Sequence, residues 1–524
     1  MSSLIKLAPD AVLPGEDVPP GATIQLTKGE HTLPRILSGL RGTPEKPIVI
    51  TCAPRSKVCV TGGKGAEERA RTFFNATARR RIAAGSQPAL GLYGDLALLT
   101  LRDCQYVIAR DLAFTDCWPT AIYIDNAQFI ALQRLTFTGG MFAIGANGRD
   151  THHILVEGCD WTQDISEENR LWNAVPWVRI HGTPGNAPNV DFDPKREERH
   201  WDGDFFRAWD IRGDVVIRDN DIRDAFNAIH FFNRIDGPEP NSGRRAAANV
   251  LIENNRFTRI RDNVFEPENH AWNWVIRHNR LLDCYRPFSY ELDRAGFIYV
   301  YGNRGGFKHS PSLAMSDEEK ALIPKKDRRH TFSLFKARGA QANEGPVVVA
   351  HNSWVMVTSD LENGGFASSK GLFPKGVLGN LLHTNNAVQF ISPGTISVFD
   401  GSTFTKDWAT HGIAMLADTV HDPRYPRAEI DAGYAIGDLA LNGSPAFADL
   451  DPGIMDARKV ELVPTGSDVV GRAVPFDMRL PDGRAASTRP LAHRGAHQPD
   501  GAWNGIDAAF TFLPTFDWVD PALG

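Results

Sequence analysis

The stretch VLIENNRFTRIRDNVFEPENHAWNWVIRHNRLLDC, residues 250–284, contains one short phrase twice: a run of β-forming residues, an Asn, and further apolar residues. Asn255, Asn279 and Asn303 follow one another at intervals of 24 residues. Further copies of the phrase carry Asn220, Asn352 and Asn380. A repeat of this length, built from short strands and tight turns, is typical of a β-solenoid, in which each coil buries its apolar face against the next.

The repeated Asn suits a turn, because its side chain bonds to nearby backbone and tolerates a left-handed backbone conformation. Stacked coils also place equivalent Asn side chains one above another, so that their amide groups can form a ladder of hydrogen bonds. The sequence therefore predicts an all-β fold, a single-stranded parallel β-helix with an N-terminal cap and loop insertions.

Size and composition fit a soluble protein, with 524 residues, 42% hydrophobic and 23% charged. The net charge of −6 and the lack of a Lys/Arg-rich run argue against a nucleic-acid partner. No stretch approaches 18 consecutive apolar residues, so we expect no membrane span. Because the first residues lack an apolar signal core, we expect either a cytoplasmic protein or a secreted or periplasmic one whose signal was removed.

Cysteine usage gives a weaker indication of the compartment. The chain has six cysteines and no CxxC motif, and several of them stand in strand-like runs. Buried free thiols are the simplest interpretation. A disulfide bond between Cys52 and Cys59 is the alternative if the protein is exported.

Differences in patterning along the chain predict three regions. Residues 1–89 form an N-terminal cap with the first coils, including a helix-like stretch at 67–84. Residues 90–404 form the parallel β-helix, and residues 405–524 form a loop-rich segment packed on it. Two insertions interrupt the helix: residues 161–203, rich in Trp, Pro and Asp, and residues 304–345, which include a helix-like stretch at 315–323.

Segments near the two ends resemble a known superfamily. These are LTKGEHTL (26–33), GTPEKPIVITCAP (42–54), KVCVTGG (57–63) and, in the tail, LNGSPAFADLDPG (441–453). They are similar to segments of pectate-lyase-like right-handed parallel β-helix proteins, the first three to alginate lyase and chondroitinase B-type polysaccharide lyases. The resemblance implies a right-handed β-helix that acts on carbohydrate. It leaves the reaction open, because this scaffold hosts lyases, hydrolases, epimerases, esterases and non-catalytic adhesins.

One motif of those lyases is only partly matched. In the chondroitinase B-like enzymes a pair of nearby glutamates binds calcium, a Lys follows shortly after, and an Arg stands on the next coil. Glu266 and Glu268 resemble the glutamate pair, which makes Ca²⁺ a possible cofactor. The residues that follow, NHAWNW, contain no Lys, and Glu291 stands near the place where the Arg is expected, with Arg286 elsewhere in the coil. The lyase residues therefore do not transfer one by one.

Aligning the strands after each Asn turn predicts a column of outward-facing polar residues. Asp210, His230, Glu268 and Ser289 share this column, and Glu266 lies in the next one. Two coils separate Asp210 from Glu268, about 10 Å at the backbone. That spacing suits the two carboxylates of an inverting glycoside hydrolase, with His230 tuning a pKa between them. Any one of these residues alone is ordinary on a solvated solenoid face.

Other residues near the column suit carbohydrate recognition. Asp204 stands where the first insertion rejoins the helix, a position that often contributes to a site but also suits an Asx turn. Candidate substrate-binding residues are Arg207, Arg286, Trp209, Trp272, Tyr290 and Glu291. Arginine can hold a uronate carboxylate, and Trp can stack on a sugar ring or simply pack in the core. His152, His153 and His230 lack the spacing of a zinc site, so we predict no metal ligands.

Three functions follow from these features. The sequence favours a glycoside hydrolase that uses paired carboxylates on a polysaccharide or oligosaccharide. The alternative is a polysaccharide lyase or C5-epimerase on a uronate-containing glycan, in which His230, Arg286 or Tyr290 takes the C5 proton. The third is a glycan-binding β-helix without catalysis. The sequence specifies neither the sugar nor the oligomeric state.

Overall fold

Short β-strands joined by tight turns make up most of the chain that our computed structural model describes. The chain forms two compact units: unit 1 comprises Met1–Arg234, Pro311–Arg329 and Thr515–Gly524, and unit 2 comprises Ile235–Ser310 and His330–Pro514. The described residues are 3–11, 17–32, 35–53, 58–73, 94, 96–175, 179–180, 198–233, 247–307, 334–337, 345–356, 381–390, 414–416, 419–421, 456–464 and 470–519.

Unit 1 consists of parallel strands, with three strands in each regular coil. Its elements are β1 (Leu4–Leu7), β2 (Thr23–Leu26), β3 (Gly29–His31), β4 (Arg35–Ser38), β5 (Ile48–Cys52), β6 (Val58–Thr61), β7 (Leu99–Arg102), β8 (Gln105–Arg110), β9 (Ala113–Thr115), β10 (Thr120–Asp125), β11 (Gln128–Gln133), β12 (Thr136–Thr138), β13 (Phe142–Asn147), β14 (His152–Glu157), β15 (Asp160–Thr162), the short helix α1 (Arg170–Asn173), a 3₁₀ turn (Arg199–Trp201), β16 (Phe206–Trp209), β17 (Gly213–Arg218), β18 (Asp221–Ala225) and β19 (Ile229–Phe232).

Each strand of unit 1 pairs in parallel with the corresponding strand of the next coil. Strands β10, β11 and β12 pair with β13, β14 and β15, and these pair in turn with β16, β17 and β18. Apolar residues therefore stack in columns inside the coil, as with Ile130 on Ile154 and Phe114 on Phe137. This stacking buries the side that a single coil would expose.

Unit 2 repeats the same pattern, and two of its strands run on through a corner of the coil. Its elements are β20 (Ala248–Glu253), β21 (Arg256–Ile260), β22 (Asn263–Arg277), β23 (Arg280–Leu282), β24 (Arg286–Tyr301), β25 (Arg304–Phe307), β26 (Phe335–Ala337), β27 (Val347–Ala350), β28 (Ser353–Met356), β29 (Leu381–Thr384), β30 (Ala387–Phe390), β31 (Ala414–Leu416), β32 (Thr419–His421), a 3₁₀ turn (Ala457–Lys459), β33 (Asp477–Arg479), β34 (Ala485–Ser487) and the short helix α2 (Asn504–Asp507).

Strand register in unit 2 fixes which side chains share a column. The first half of β22 pairs with the first half of β24, which pairs with β26. The second half of β22 pairs with β20 and with the second half of β24. Phe265, Phe288 and Phe335 stack inside this column, with ring centroids 5.2 and 4.9 Å apart.

A ladder of buried Asn side chains runs along the turns of unit 2. Each side-chain N–H donates to the carbonyl of the next Asn at 2.9–3.0 Å, from Asn255 through Asn279, Asn303 and Asn352 to Asn386. Four of these five Asn were predicted from the repeat. The ladder continues through Asn386, and the predicted Asn380 lies outside the described residues. In unit 1, the buried Asn220 caps Cys159 by accepting from its backbone N–H.

The C-terminal residues of unit 2 lie along its coils. The side chain of Asp507 contacts Arg277, His278 and Tyr301, the backbone N–H of Ala457 donates to Thr258, and that of Ala496 donates to Ser353. Because these contacts reach from β21 to β28, the segment covers side chains that the coils would otherwise expose.

The fold predicted from the sequence, a right-handed parallel β-helix, is confirmed. Coil pairing continues through β31 and β32, beyond the boundary at residue 404 that patterning predicted. Residues 66–73 form a helix, which covers 67–73 of the predicted 67–84. The rest of that stretch and the helix-like 315–323 lie outside the described residues. All six cysteines are free, and four of them are buried, so Cys52 and Cys59 are not joined. Among the described residues, no helix is both long and apolar enough to cross a membrane.

Candidate functional site

A lysine lies between two glutamates in unit 2, where Glu266 is buried and the side chains of Lys336 and Glu291 are partly exposed. Nζ of Lys336 is 3.9 Å from Oε1 of Glu266 and 3.7 Å from Oε2 of Glu291. The same Oε1 of Glu266 accepts hydrogen bonds from Asn263 at 2.8 Å and from Ser289 at 3.1 Å. We call these five residues the Lys336 cluster.

Strand register explains why residues from distant parts of the sequence meet here. Phe265 pairs with Phe288, so the following residues, Glu266 and Ser289, point the same way on neighbouring coils. Ser289 in turn pairs with Lys336 of β26. Glu291 lies two residues further along β24, on the same side as Ser289, and is in register with Glu268. The outward column is therefore Glu266, Ser289 and Lys336, with Glu268 and Glu291 in the column beside it.

Opposing effects act on the charge of Lys336. Burial favours the neutral amine, while the carboxylates of Glu266, Asp262 and Glu291 favour the ammonium, and the net result is a raised pKa. The positive charge of Arg286 acts in the same direction as burial. Glu266 is buried, and the side chain of Lys336 is 22% exposed. The protonation of Lys336 thus depends on the charge of the carboxylates around it.

Arg286 stands beside this cluster, at the start of β24. Its guanidinium lies 4.5 Å from the ring centroid of Tyr285, and its Nη2 donates to the Tyr285 hydroxyl at 2.9 Å. This stacking and the hydrogen bond hold the guanidinium in one orientation. Arg286 is therefore a pre-oriented cation next to the Lys336 cluster.

A second polar cluster lies in unit 1, formed by Arg207 on β16, His230 on β19 and Asp204 just before β16. Nη1 of Arg207 donates to Oδ2 of Asp204 at 3.1 Å and also contacts Nδ1 of His230. Nδ1 of His230 is 3.6 Å from Oδ1 of Asp204. Asp204 is fully buried and His230 nearly so. The structure thus brings together three of the residues predicted for the site, as a charged group largely closed to solvent.

The register corrects the predicted outward column in two places. His230 pairs with Arg207, not with Asp210. Asp210 lies beyond the end of β16, in a turn with a left-handed φ of 51°. Ser289 adjoins Glu266 rather than Glu268. Sequence alignment of the strands missed these offsets because turns of different length follow the Asn positions.

Several predicted substrate-binding residues lie in the interior. Tyr290 is fully buried between Phe288 and Phe335, so it cannot contact a glycan or take a proton from one. Trp209 is buried against Phe142, and Trp272 is 4% exposed. All three side chains therefore pack in the interior of the coil. Arg286 is also buried, at 8% exposed, whereas Arg207 and Glu291 are partly exposed next to charged partners.

Lys336 is the residue that sequence reasoning missed. It stands in the triplet FKA inside the predicted insertion 304–345, where no strand was expected. The alternation of apolar, charged and apolar residues is the only sequence signal of a strand there, and it is too short to be distinctive.

Comparison with known proteins gives matches among solved structures alone. No family model matches the chain, and no curated protein matches it. A mannuronic acid-specific family 6 polysaccharide lyase from human gut microbiota is 13% identical, with a TM-score of 0.37 over 79% of this chain and 90% of that one. The family 6 alginate lyase AlyGC is 11% identical, with a TM-score of 0.39 over 93% of this chain and 55% of that one. The lacto-N-biosidase of glycoside hydrolase family 136 from Eubacterium ramulus is 12% identical, with a TM-score of 0.27 over 66% and 68%. At TM-scores below 0.5, these likenesses say nothing about the chemistry of this chain.

Proposed function

We propose that the protein is a polysaccharide lyase that cleaves a uronate-containing glycan by β-elimination at the Lys336 cluster. The observation that carries this proposal is the position of the Lys336 ammonium, 3.9 and 3.7 Å from the carboxylates of Glu266 and Glu291 on the face of the coil. Elimination needs one group that takes the C5 proton and positive charge that stabilises the uronate carboxylate as that proton leaves.

Lys336 is the candidate base. Burial by itself lowers the pKa of Lys336, whereas the carboxylates of Glu266 and Glu291 raise it. Any partner that binds these carboxylates therefore moves Lys336 toward its neutral form. Neutral Nζ then takes the C5 proton, and the electron pair of the C5–H bond forms the C4=C5 double bond. The C4–O bond breaks, and the ammonium of Lys336 returns a proton to the departing oxygen. Atoms and charge balance without a second acid.

Arg286 is the candidate group for the uronate carboxylate. Its guanidinium is already oriented by Tyr285, so little side-chain freedom is lost when it binds an anion. Its charge also opposes protonation of Lys336, which favours the amine that the reaction needs. Arg286 therefore serves substrate binding and the basicity of Lys336 together.

The oxygen atoms of the cluster also suit a calcium ion. Two carboxylates, from Glu266 and Glu291, and the amide oxygen of Asn263 are the kind of ligand that Ca²⁺ prefers. When bound, such an ion supplies further positive charge for the uronate carboxylate. Glu266, Glu291 and Asn263 are the residues that would hold it.

Glycoside hydrolysis, which the sequence favoured, is the second candidate. In its favour, the carboxylates of Glu266 and Glu291 come from neighbouring coils and approach the same point on the face. Hydrolysis needs one of the two carboxyl groups protonated as the general acid. Hydrolysis assigns no role to the Lys336 ammonium that lies between the two carboxylates, and this weighs against hydrolysis.

One assay separates the two reactions. The protein is incubated with a panel of uronate-containing and neutral glycans, with and without a chelator, and ultraviolet absorbance and new reducing ends are read in parallel. Elimination gives an unsaturated product, so absorbance and reducing ends should rise together on uronate glycans. Reducing ends without absorbance would establish hydrolysis and overturn the proposal. In that case Glu266→Gln and Glu291→Gln are the variants to assay first.

A binding module without catalysis is the remaining outcome. It would retain a glycan in an affinity assay and produce neither signal. Lys336→Met and the surface variant Lys459→Met, assayed side by side, show whether any activity depends on the cluster. Activity that is equal in the two variants would place the reaction elsewhere in the protein.

A further inference from the structure

Three side chains with metal-binding atoms meet in unit 1, away from the residues used above. They are His152 and His153, at the start of β14, and Asp214 on β17. One nitrogen or oxygen atom from each lies within 4.8 Å of the other two. Nδ1 of His152 is 2.7 Å from Nδ1 of His153, and the latter is 3.5 Å from Oδ2 of Asp214.

Backbone conformation places these side chains together. Consecutive residues of a regular strand point to opposite faces, so adjacent histidines would normally diverge. His153 has a left-handed φ of 54° and is passed over in the strand register, which runs from His152 to Ile154. Asp214 has a φ of 56° and is passed over in the same way. Both imidazoles therefore lie on one side of the coil, next to the carboxylate.

The left-handed position recurs on each coil, but its side chains change. On the two preceding coils it holds Tyr106 and Phe129, with φ of 51° and 55° and rings stacked at 4.3 Å. The His153 ring follows these two, with its centroid 4.6 Å from that of Phe129. Asp214 holds the same position on the next coil and carries no ring. The conformation is thus a property of the fold, whereas the imidazole and carboxylate are specific to these two coils.

Space and charge at the cluster also fit an ion. Gly213 is in register with His152 and adds no side chain beside that ring. Arg212 lies 4.0 Å from Asp214, and its side chain is 49% exposed, so it can turn to solvent when another cation takes its place.

We propose that His152, His153 and Asp214 bind a divalent transition metal ion of the zinc class. Two neutral imidazoles and one carboxylate are a donor set for zinc, cobalt or iron, and they are a poor set for calcium or magnesium, which prefer oxygen. The ion ties β14 to β17 and lies near the C-terminal residues of unit 1, where the Phe516 ring is 6.4 Å from that of His153. The role of the ion is structural, because the ion joins neighbouring coils at a half-buried position.

Cobalt titration of the full-length, tag-free, chelator-treated protein tests the site. Co²⁺ bound by two imidazoles and a carboxylate gives a visible d–d absorption band, and we expect one equivalent to bind. Zn²⁺ should displace it and raise the Tm by a few degrees through preferential binding to the folded state. Ca²⁺ at the same concentration should do neither.

Variants that preserve the fold locate the ion. His153→Phe copies the residue that the preceding coil carries at this position, and Asp214→Asn keeps the shape of the side chain. Both should abolish the Co²⁺ band and the Zn²⁺ shift in Tm. His278→Gln, which removes a single histidine paired with Asp507, is the control and should leave both unchanged. Absence of a band in the unmodified protein, or a band that persists in both variants, would overturn the proposal.

Discussion

Nζ of Lys336 lies 3.9 Å from Oε1 of Glu266, although the strands β23, β24 and β25 lie between the two residues in the described part of the chain. Ser289 stands between them in register, so the three residues form one column on the face of the coil. A solenoid can assemble a polar site from distant segments in this way, because each coil adds one side chain to each column.

Replacing Lys336 by Met should abolish catalysis while the protein stays folded. Loss of a general base typically lowers the rate by about 10²–10⁴-fold. The change also leaves Glu266 and Glu291 without their cation, which costs about 1–2 kcal/mol of unfolding free energy after allowance for solvent screening of a partly exposed pair. Initial rates from ultraviolet absorbance and urea denaturation curves measure the two effects.

Lys459→Met is the matched control for this change. Lys459 is exposed at the 3₁₀ turn of unit 2 and should tolerate Met with unchanged rate and stability. A rate in Lys336→Met within a factor of three of the unmodified protein would exclude Lys336 as the base.

Glu291→Gln should move the pH–rate profile to lower pH. The Glu291 carboxylate is one of the charges that raise the pKa of Lys336, so its removal lowers that pKa. A base with a lower pKa reaches its neutral form at lower pH, and the acidic limb of kcat/KM should shift in that direction. Profiles measured on one uronate glycan test this.

A hydrolase responds differently to the same variant. If Glu291 were one of two catalytic carboxylates, Glu291→Gln would lose activity at every pH, with no displaced limb. An unshifted profile with unchanged activity would show that Glu291 does not act on the reacting base at all. Either result contradicts the assignment of Lys336.

Asn303→Leu should destabilise unit 2 by roughly 2–4 kcal/mol, because the change leaves several buried polar groups without partners. Asn303 donates to the side chain of Asn352 and to the carbonyl of Ile276, and it accepts from Asn279. The midpoint of chemical denaturation should fall.

Asn173→Ala, at an exposed hydrogen bond in α1, is the control and should change stability by less than about 0.5 kcal/mol. Equal effects of the two changes would show that the ladder adds no stability.

The fold was predictable because the repeat fixes it through local chemistry. Strand formers, a turn Asn and a constant spacing at Asn255, Asn279 and Asn303 are all visible in the sequence. The ladder extends through Asn386 because the turn at Asn386 matches the others, although its spacing does not. Asn386 donates to the carbonyl of Thr384, two residues before it, as Asn352 does to that of Ala350.

The site was less predictable, because it depends on register between coils that insertions separate. Glu266, Glu291 and Arg286 were recognised, but the position of Lys336 could not be counted across the insertion that precedes it. Left-handed residues such as Asp210 and His153 also break the alternation of side chains that sequence reasoning assumes. The contact of His153 with Asp214 follows from that break, and no sequence spacing signals it.

His351→Asn should reduce the loss of stability on acidification. Burial lowers the pKa of His351 to about 3, and the neutral ring is held by two hydrogen bonds: Nδ1 donates to the His493 carbonyl, and Nε2 accepts from Asn385. In the unfolded chain the ring binds a proton below about pH 6.5. The unfolded state therefore binds more protons between about pH 6.5 and 3, and stability falls as pH falls through that range, by up to about 1.4 kcal/mol per pH unit.

Asn tolerates the left-handed φ of 53° at this position. Urea denaturation at pH 7 and pH 5 should show a smaller difference in His351→Asn than in the unmodified protein. His31, His152, His153 and His497, whose pKa values are also lowered, contribute to the remaining slope. His383→Asn, which also removes a buried ring that contacts an Asn side chain, controls for the loss of packing alone. An unchanged difference between the two pH values in His351→Asn would show that the proton uptake of unfolding occurs at other groups.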